Sequence, residues 1–182
     1  MEKKYKMSQY SSLLLVFLIL CVSSSNSISA KVVDVDAICR EASDHSYCSN
    51  LLNSKRGVDL VNLAQYTIDV LNNNWTHTYD LIRDMTEIAE NDTVAGYYDR
   101  CATDFLDTDS IAISLRDAES NLNIGKYPAM AKESVDIIQY LLDCIRDLRK
   151  HETSPLLRKY VENFQQGAQV FQIITKYLNL GK

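Results

Sequence analysis

The side chains that could do chemistry here are three histidines, a set of cysteines and a run of carboxylates. His45, His77 and His151 are scattered over a predicted loop, a helix and a loop, with no metal-ligand spacing between them. No HExxH, CxxC or GxSxG pattern occurs, and five dispersed glycines cannot build a phosphate-cradling loop. Asp104, Asp107, Asp109 and Asp117 follow one another along a predicted helix, the pattern of a solvated face, and we assign them no acid–base role. The sequence therefore offers no catalytic residue, no metal ligand and no cofactor site. It reads as a protein that is not an enzyme and works through its surface, and its eleven tyrosines could stock such a surface or, like Tyr98 and Tyr160, line the core.

The cysteines have a different use. Residues 1–30 read as a secretory signal peptide: Lys3, Lys4 and Lys6 form a basic start, Leu13 to Val22 an apolar run, and Ser23 to Ala30 a small, polar cleavage region. Ten apolar residues are too few to span a bilayer, which takes about 20. Cys21 leaves with that segment. Cys39, Cys48, Cys101 and Cys144 remain, an even set in an oxidising, extracellular compartment, with three possible pairings. The local pairing, Cys39 with Cys48 and Cys101 with Cys144, suits a short hairpin and a helix–helix staple. A chain-entropy argument gives the two loops about 2.7 and about 4 kcal/mol.

The mature chain, 31–182, carries sixteen basic and twenty-three acidic residues, a net charge of −7. That disfavours nucleic acid and anionic membranes as partners, and leaves room for a basic protein partner.

Helices must position these groups, since five Gly and two Pro are too few for a loop-rich fold. Residues 31–56 form two short helical pieces around the polar break Ser43-Asp44-His45-Ser46, flanked by Cys39 and Cys48. A long helix is predicted over about 58–89, with Val61, Ala64, Ile68, Leu71, Trp75, Thr78, Ile82, Met85 and Ala89 on one seam. The triplet Asn72-Asn73-Asn74 makes a kink plausible there. A second helix is predicted over about 94–122, with Tyr98, Cys101, Phe105, Thr108, Ala112, Leu115, Ala118 and Leu122 inward. Gly125 ends it, and Pro128 opens a third helix to about Arg149. The face predicted for that helix is Ala131, Val135, Ile138, Leu141, Leu142, Ile145 and Leu148, with Cys144 beside it. Cys101 lies about 24 residues before the turn and Cys144 about 19 after it, so both sit near one end of the pair. Ser154-Pro155 starts a fourth helix to about Leu178. The expected fold is all-α, an up-down-up-down four-helix bundle with an N-terminal disulfide-linked helical hairpin, as one domain over 31–182.

Two N-glycosylation sequons occur. Asn91 lies in a predicted turn, and Asn74 lies mid-helix beside Trp75, which makes Asn91 the better acceptor.

This arrangement resembles the plant invertase and pectin methylesterase inhibitors over essentially the whole mature chain. The resemblance rests on the nine-residue spacing of Cys39 and Cys48 followed by Ser49-Asn50-Leu51-Leu52. It also rests on Tyr98-Asp99-Arg100-Cys101-Ala102, on Leu115-Arg116-Asp117-Ala118, on the turn Gly125-Lys126-Tyr127, on the distance to Cys144, and on Ser154-Pro155-Leu156. It implies a small secreted glycoprotein of the apoplast, with two consecutive disulfides, that binds a cell-wall enzyme noncovalently and blocks its substrate cleft. Invertase inhibitors of the family carry a Pro-Lys-Phe turn that enters the invertase site. Gly125-Lys126-Tyr127 keeps the cation and the aromatic and exchanges the Pro for a more flexible Gly, which makes Lys126 and Tyr127 the candidate target contacts. Methylesterase inhibition would instead use helix faces around 98–120 and 129–148. The chain departs from the family at Leu142-Asp143-Cys144-Ile145-Arg146-Asp147-Leu148 and in lacking the usual Tyr-Pro before Cys48. The competing classes are a non-inhibitory secreted bundle for signalling or interaction, and a small-ligand carrier with a cavity between its helices.

Overall fold

The structure is a computed structural model, and it describes residues 32–181. The expected signal peptide over 1–30 lies outside the described residues. Among them the secondary structure is helical apart from one isolated antiparallel bridge, Val32 to Asp59.

The entry to the bundle is a pair of short helices, α1 (Val35–Cys39) and α2 (His45–Leu52). Each starts on an aspartate cap: Asp34 accepts from the Asp36 amide and Asp44 from the Tyr47 amide, satisfying donors a helix start leaves free. Helices this short are marginal alone, so other forces hold them. The Cys39–Cys48 disulfide joins them. Glu41 accepts from Lys176 Nζ at 2.6 Å and from the Tyr177 hydroxyl at 2.8 Å, which ties the hairpin to the last helix.

Four layers follow. Helix α3 (Leu60–Glu87) is capped by Asp59, whose carboxylate accepts from the Asn62 amide at 3.0 Å. It runs as one helix through Asn72-Asn73-Asn74. The next layer is split into α4 (Asp92–Leu106) and α5 (Ile111–Asn123). Helices α6 (Tyr127–Leu148) and α7 (Pro155–Asn179) complete the bundle, each with Pro in its first turn. Helix α3 packs on α7 and on α4 and α5; α6 packs on the same α4 and α5 and on α7. Phe105, Phe164 and Phe171 are fully buried at the centre, with the Phe105 and Phe164 rings 5.7 Å apart.

Two expectations from periodicity need correction. The predicted second helix over 94–122 is interrupted at Asp107-Thr108-Asp109-Ser110, and Thr108, expected inward, is exposed. The cause is local: Asp107 leaves the helical region and its carboxylate accepts from the Thr108 amide at 2.7 Å, a competitor to helix hydrogen bonds. Trp75 reinforces the break by donating its indole N–H to the Phe105 carbonyl at 2.8 Å, one of the carbonyls the helix end leaves free.

The second correction concerns α6. Its buried residues are Met130, Ser134, Ile137, Leu141, Cys144, Asp147 and Leu148; Leu141 and Leu148 are inward as predicted, but the centre of the face lies about one residue round from the predicted one. Val135 is 52% exposed and Leu142 43% exposed. Cys144 is the reason: its sulfur is bonded to Cys101, which is itself wholly buried, so the disulfide turns Cys144 to the middle of the inward face.

Candidate functional site

Two surfaces could meet a partner: the α5–α6 turn, and the flank of α6 that faces α4 and α5.

The turn is built from backbone hydrogen bonds. The Gly125 N–H donates to the Leu122 carbonyl at 3.1 Å and the Lys126 N–H to the Asn121 carbonyl at 2.8 Å. This is a Schellman closure, which needs a left-handed residue, and Gly125 supplies it at φ +70°. The Lys126 carbonyl then accepts from the Met130 N–H at 3.1 Å and starts α6. Lys126 is thus held on both sides, so the exchange of Pro for Gly does not loosen the turn. A proline, locked near φ −65° and lacking an N–H, could not make this closure. The Lys126 side chain is exposed. Tyr127 is half-buried and packs back on the core. The structure therefore presents the cation and withdraws the aromatic. Ile124, 60% exposed, stands at the tip beside Lys126, a residue the sequence pattern did not single out.

The flank of α6 is acidic. Residues 92–148 hold eleven acidic and five basic residues, a net charge of −6, which is nearly all of the charge of the mature chain. Asp104 on α4 stands near Asp143 and Asp147 on α6. Burial, then the fields of Asp143 and Asp147, push its carboxyl up to about 6 against the opposing pull of Arg146. Farther along, burial raises Glu133, with Asp136 and Asp117 adding to it, while Lys132 and the Ser114 hydroxyl oppose. Burial also raises Tyr140, aided by Asp109 and Asp136. Of the four aspartates read as a solvated face, Asp107 and Asp109 are exposed, while Asp104 and Asp117 are half-buried.

Asp147 is different in kind, because it is only 6% exposed. Burial works against its charge, but Lys150 and Arg100 outweigh it, and its carboxyl is held below the ordinary value. Arg100 Nε lies 3.3 Å from its carboxylate, and Lys150 pairs with it from the loop after α6. Both cations also sit over the Tyr97 ring, at 5.0 and 5.4 Å. The His151 ring stacks on Tyr97 and meets Tyr98 edge-on, so the start of α4 is knitted to the loop 149–154.

The remaining candidates are structural. The four cysteines form Cys39–Cys48 and Cys101–Cys144, all wholly buried. Asn91 is exposed and caps α4 through its Oδ1, which accepts from the Val94 N–H at 3.1 Å. Asn74 is half-buried within α3, and its carbonyl accepts from the Thr78 hydroxyl at 2.7 Å. His45, His77 and His151 stay apart, on α2, on α3 and in the α6–α7 loop, and among the described residues no group of three His, Cys, Asp or Glu is placed to hold a metal.

No protein-family model matches the chain. Over 157 residues it is 24% identical to Pectinesterase inhibitor 2 of Arabidopsis thaliana, spanning 85% of this chain and 89% of that one. Among solved structures it superposes on a mutant form of a pectin methylesterase inhibitor from Arabidopsis with a TM-score of 0.71 at 17% identity, covering 78% of this chain and 95% of that one. This is the fold of the pectin methylesterase inhibitors. A second structure, a pectin methylesterase inhibitor from Arabidopsis thaliana, matches with a TM-score of 0.61 at 18% identity over 79% and 95% of the two chains. The resemblance to the pectinesterase inhibitor family read from cysteine spacing and helix order thus holds in sequence and in fold.

Proposed function

We propose that this chain is a secreted, non-catalytic inhibitor that binds a pectin methylesterase of the plant cell wall and covers its substrate cleft. The observation that carries the reading is the likeness to a named pectinesterase inhibitor along 85% of the chain, joined to the same helical fold. The contact surface in this reading is the acidic flank of α4, α5 and α6, which matches a basic rim on the partner. Charge complementarity of this kind raises association rates and selects partners more than it adds raw affinity. Residues 1–30 direct the chain to the apoplast and are removed, leaving 31–182 as the inhibitor domain, with Asn91 as its glycan acceptor. Among the described residues no helix is long and apolar enough to cross a membrane.

A second target, acid invertase, is favoured by one feature. The Lys126 ammonium projects from a turn whose backbone is closed on both sides, a preorganised cation that suits an acidic glycosidase cleft. A ligand carrier has less support, since Phe105, Phe164 and Phe171 fill the centre of the bundle.

The test is a titration of the recombinant 31–182 chain against a pectin methylesterase and an acid invertase, across acidic to neutral pH. One-to-one loss of esterase activity is the expected result, abolished by charge reversal on Asp136 and Asp143. Loss of invertase activity that depends on Lys126 assigns the second target. Failure to inhibit either enzyme at any pH sinks the proposal.

A further inference from the structure

On its α7 side, away from the carboxylates, α6 borders a cleft of about 440 Å³. That volume lies within the roughly 300–1,000 Å³ of small-ligand sites. Its lining has three chemical parts. Leu148 and Val161, 6% and 4% exposed, make an apolar floor with Ile145. Arg149 and Arg158 stand at the wall; both are exposed, and neither has an ion pair with any described residue, although Glu162 lies one helical turn from Arg158. Gln165 and Glu162 supply an amide and a carboxylate beside them.

His151 belongs to the same lining. Its Nδ1 lies 3.1 Å from the Glu152 carbonyl, which can only accept, so Nδ1 carries a hydrogen. Its Nε2 is buried and has no hydrogen-bond partner. Buried polar atoms are nearly always paired, so this nitrogen is an exception, held in place by the packing of its ring on Tyr97 and Tyr98. The segment around it is also unlike the rest of the molecule. Residues 149–159 hold four cations and one acid, in a mature chain of net charge −7. Helix α7 begins at Pro155 with no side-chain cap, adding the positive end of a 25-residue helix.

We propose that this cleft binds an acidic saccharide, a short chain of uronate units. Each part of the lining meets one part of that ligand. Guanidinium groups receive carboxylates in paired hydrogen bonds. The apolar floor takes the C–H face of a sugar ring, which inorganic phosphate does not have. Gln165 and Glu162 bond ring hydroxyls. The choice of uronate rests on the cell-wall reading above, but the binding does not involve the acidic flank. An inhibitor could therefore hold wall polysaccharide on one side of α6 and its enzyme on the other.

The experiment is an NMR titration of the 31–182 chain alone, with no enzyme present, so that its outcome is independent of inhibition. The probes are a galacturonate trimer, its fully methyl-esterified and therefore neutral counterpart, and inorganic phosphate at matched ionic strength. Saturable shifts centred on residues 145–165 are expected with the acidic trimer, and binding at least about tenfold weaker with the other two. Arg149→Ala with Arg158→Ala should weaken the trimer by about tenfold or more at unchanged melting temperature. Glu162→Gln, which removes the one opposing charge in the lining, should not weaken it by that much. Shifts spread over the whole surface, equal binding of phosphate, or indifference to the arginine substitutions would each overturn the assignment.

Discussion

Replacing Asp104 by Asn should stabilise the protein at pH 7 and leave it nearly unchanged at pH 3. Asp104 is half-buried on α4, and burial with the charges of Asp143 and Asp147 raises its carboxyl from 3.8 to about 6. In the unfolded chain the group releases its proton near 3.8, and in the folded chain only near 6. Between those values the native state binds more protons, so stability falls as pH rises through this window. The full shift corresponds to an upper bound of about 3 kcal/mol. Because Asp104 is only partly buried, screening by solvent lowers that to about 1 kcal/mol. For a chain of this size that is a melting temperature higher by about 2–4 °C. Asn has nearly the same shape and carries no charge at any pH, so the gain should be present at pH 7, smaller at pH 5, and nearly gone at pH 3, below the unfolded value of 3.8. Urea unfolding of both proteins at these three pH values measures it. An equal gain at pH 3 and pH 7, or no gain at pH 7, would refute the account of an acidic cluster crowding Asp104.

Three further outcomes follow from the geometry. Gly125→Ala should destabilise by about 1 kcal/mol in urea unfolding, because space beside the residue is open and only the left-handed backbone opposes a side chain; Gly125→Asn should cost less and Gly125→Pro more. Removing the staple with Cys101→Ala and Cys144→Ala together should lower stability by about 4 kcal/mol, from release of the loop it closes in the unfolded chain, and a calorimetric melting temperature within a degree of the parent contradicts this. Expression in a glycosylating host should give a mass shift that Asn91→Asp removes without loss of stability, since Asp caps α4 as Asn does, whereas Asn74→Asp leaves the shift in place.

Much of this architecture was legible in order along the chain. Pro128 and Ser154-Pro155 mark helix starts that the structure reproduces within a residue, and Gly125 ends α5 in the left-handed conformation that such a position requires. Asp34, Asp44 and Asp59 are caps of the same local kind that went unread, because an aspartate before a helix looks like any other surface acid. The candidate turn was visible as Gly125-Lys126-Tyr127, but not which side chain it shows. Only packing decides that Tyr127 folds back while Ile124 and Lys126 face outward.

The sequence by itself determined that this is a helical chain, how many layers it has, and that its cysteines are placed to join the second and third of them. Those properties follow from short-range rules: apolar periodicity, caps and breakers within a few residues. It did not determine the rotation of α6, because that helix carries two apolar rows. One runs through Met130, Ile137, Leu141 and Leu148, the other through Val135, Ile138, Leu142 and Ile145, and periodicity scores them alike. The tertiary structure chose between them through Cys144, whose bond to the buried Cys101 sets the first row at the centre of the core, with Ile138 and Ile145 at its edge and Val135 and Leu142 exposed. That one choice also set the carboxylates of α6 against Asp104 on one flank and the cationic cleft on the other. The acidic flank joins residues far apart in the chain, Asp104 with Asp143 and Asp147, and only the packing of α6 on α4 brings them together, whereas the cleft is lined by one stretch, from Ile145 to Gln165, folded back on itself where α7 packs on α6.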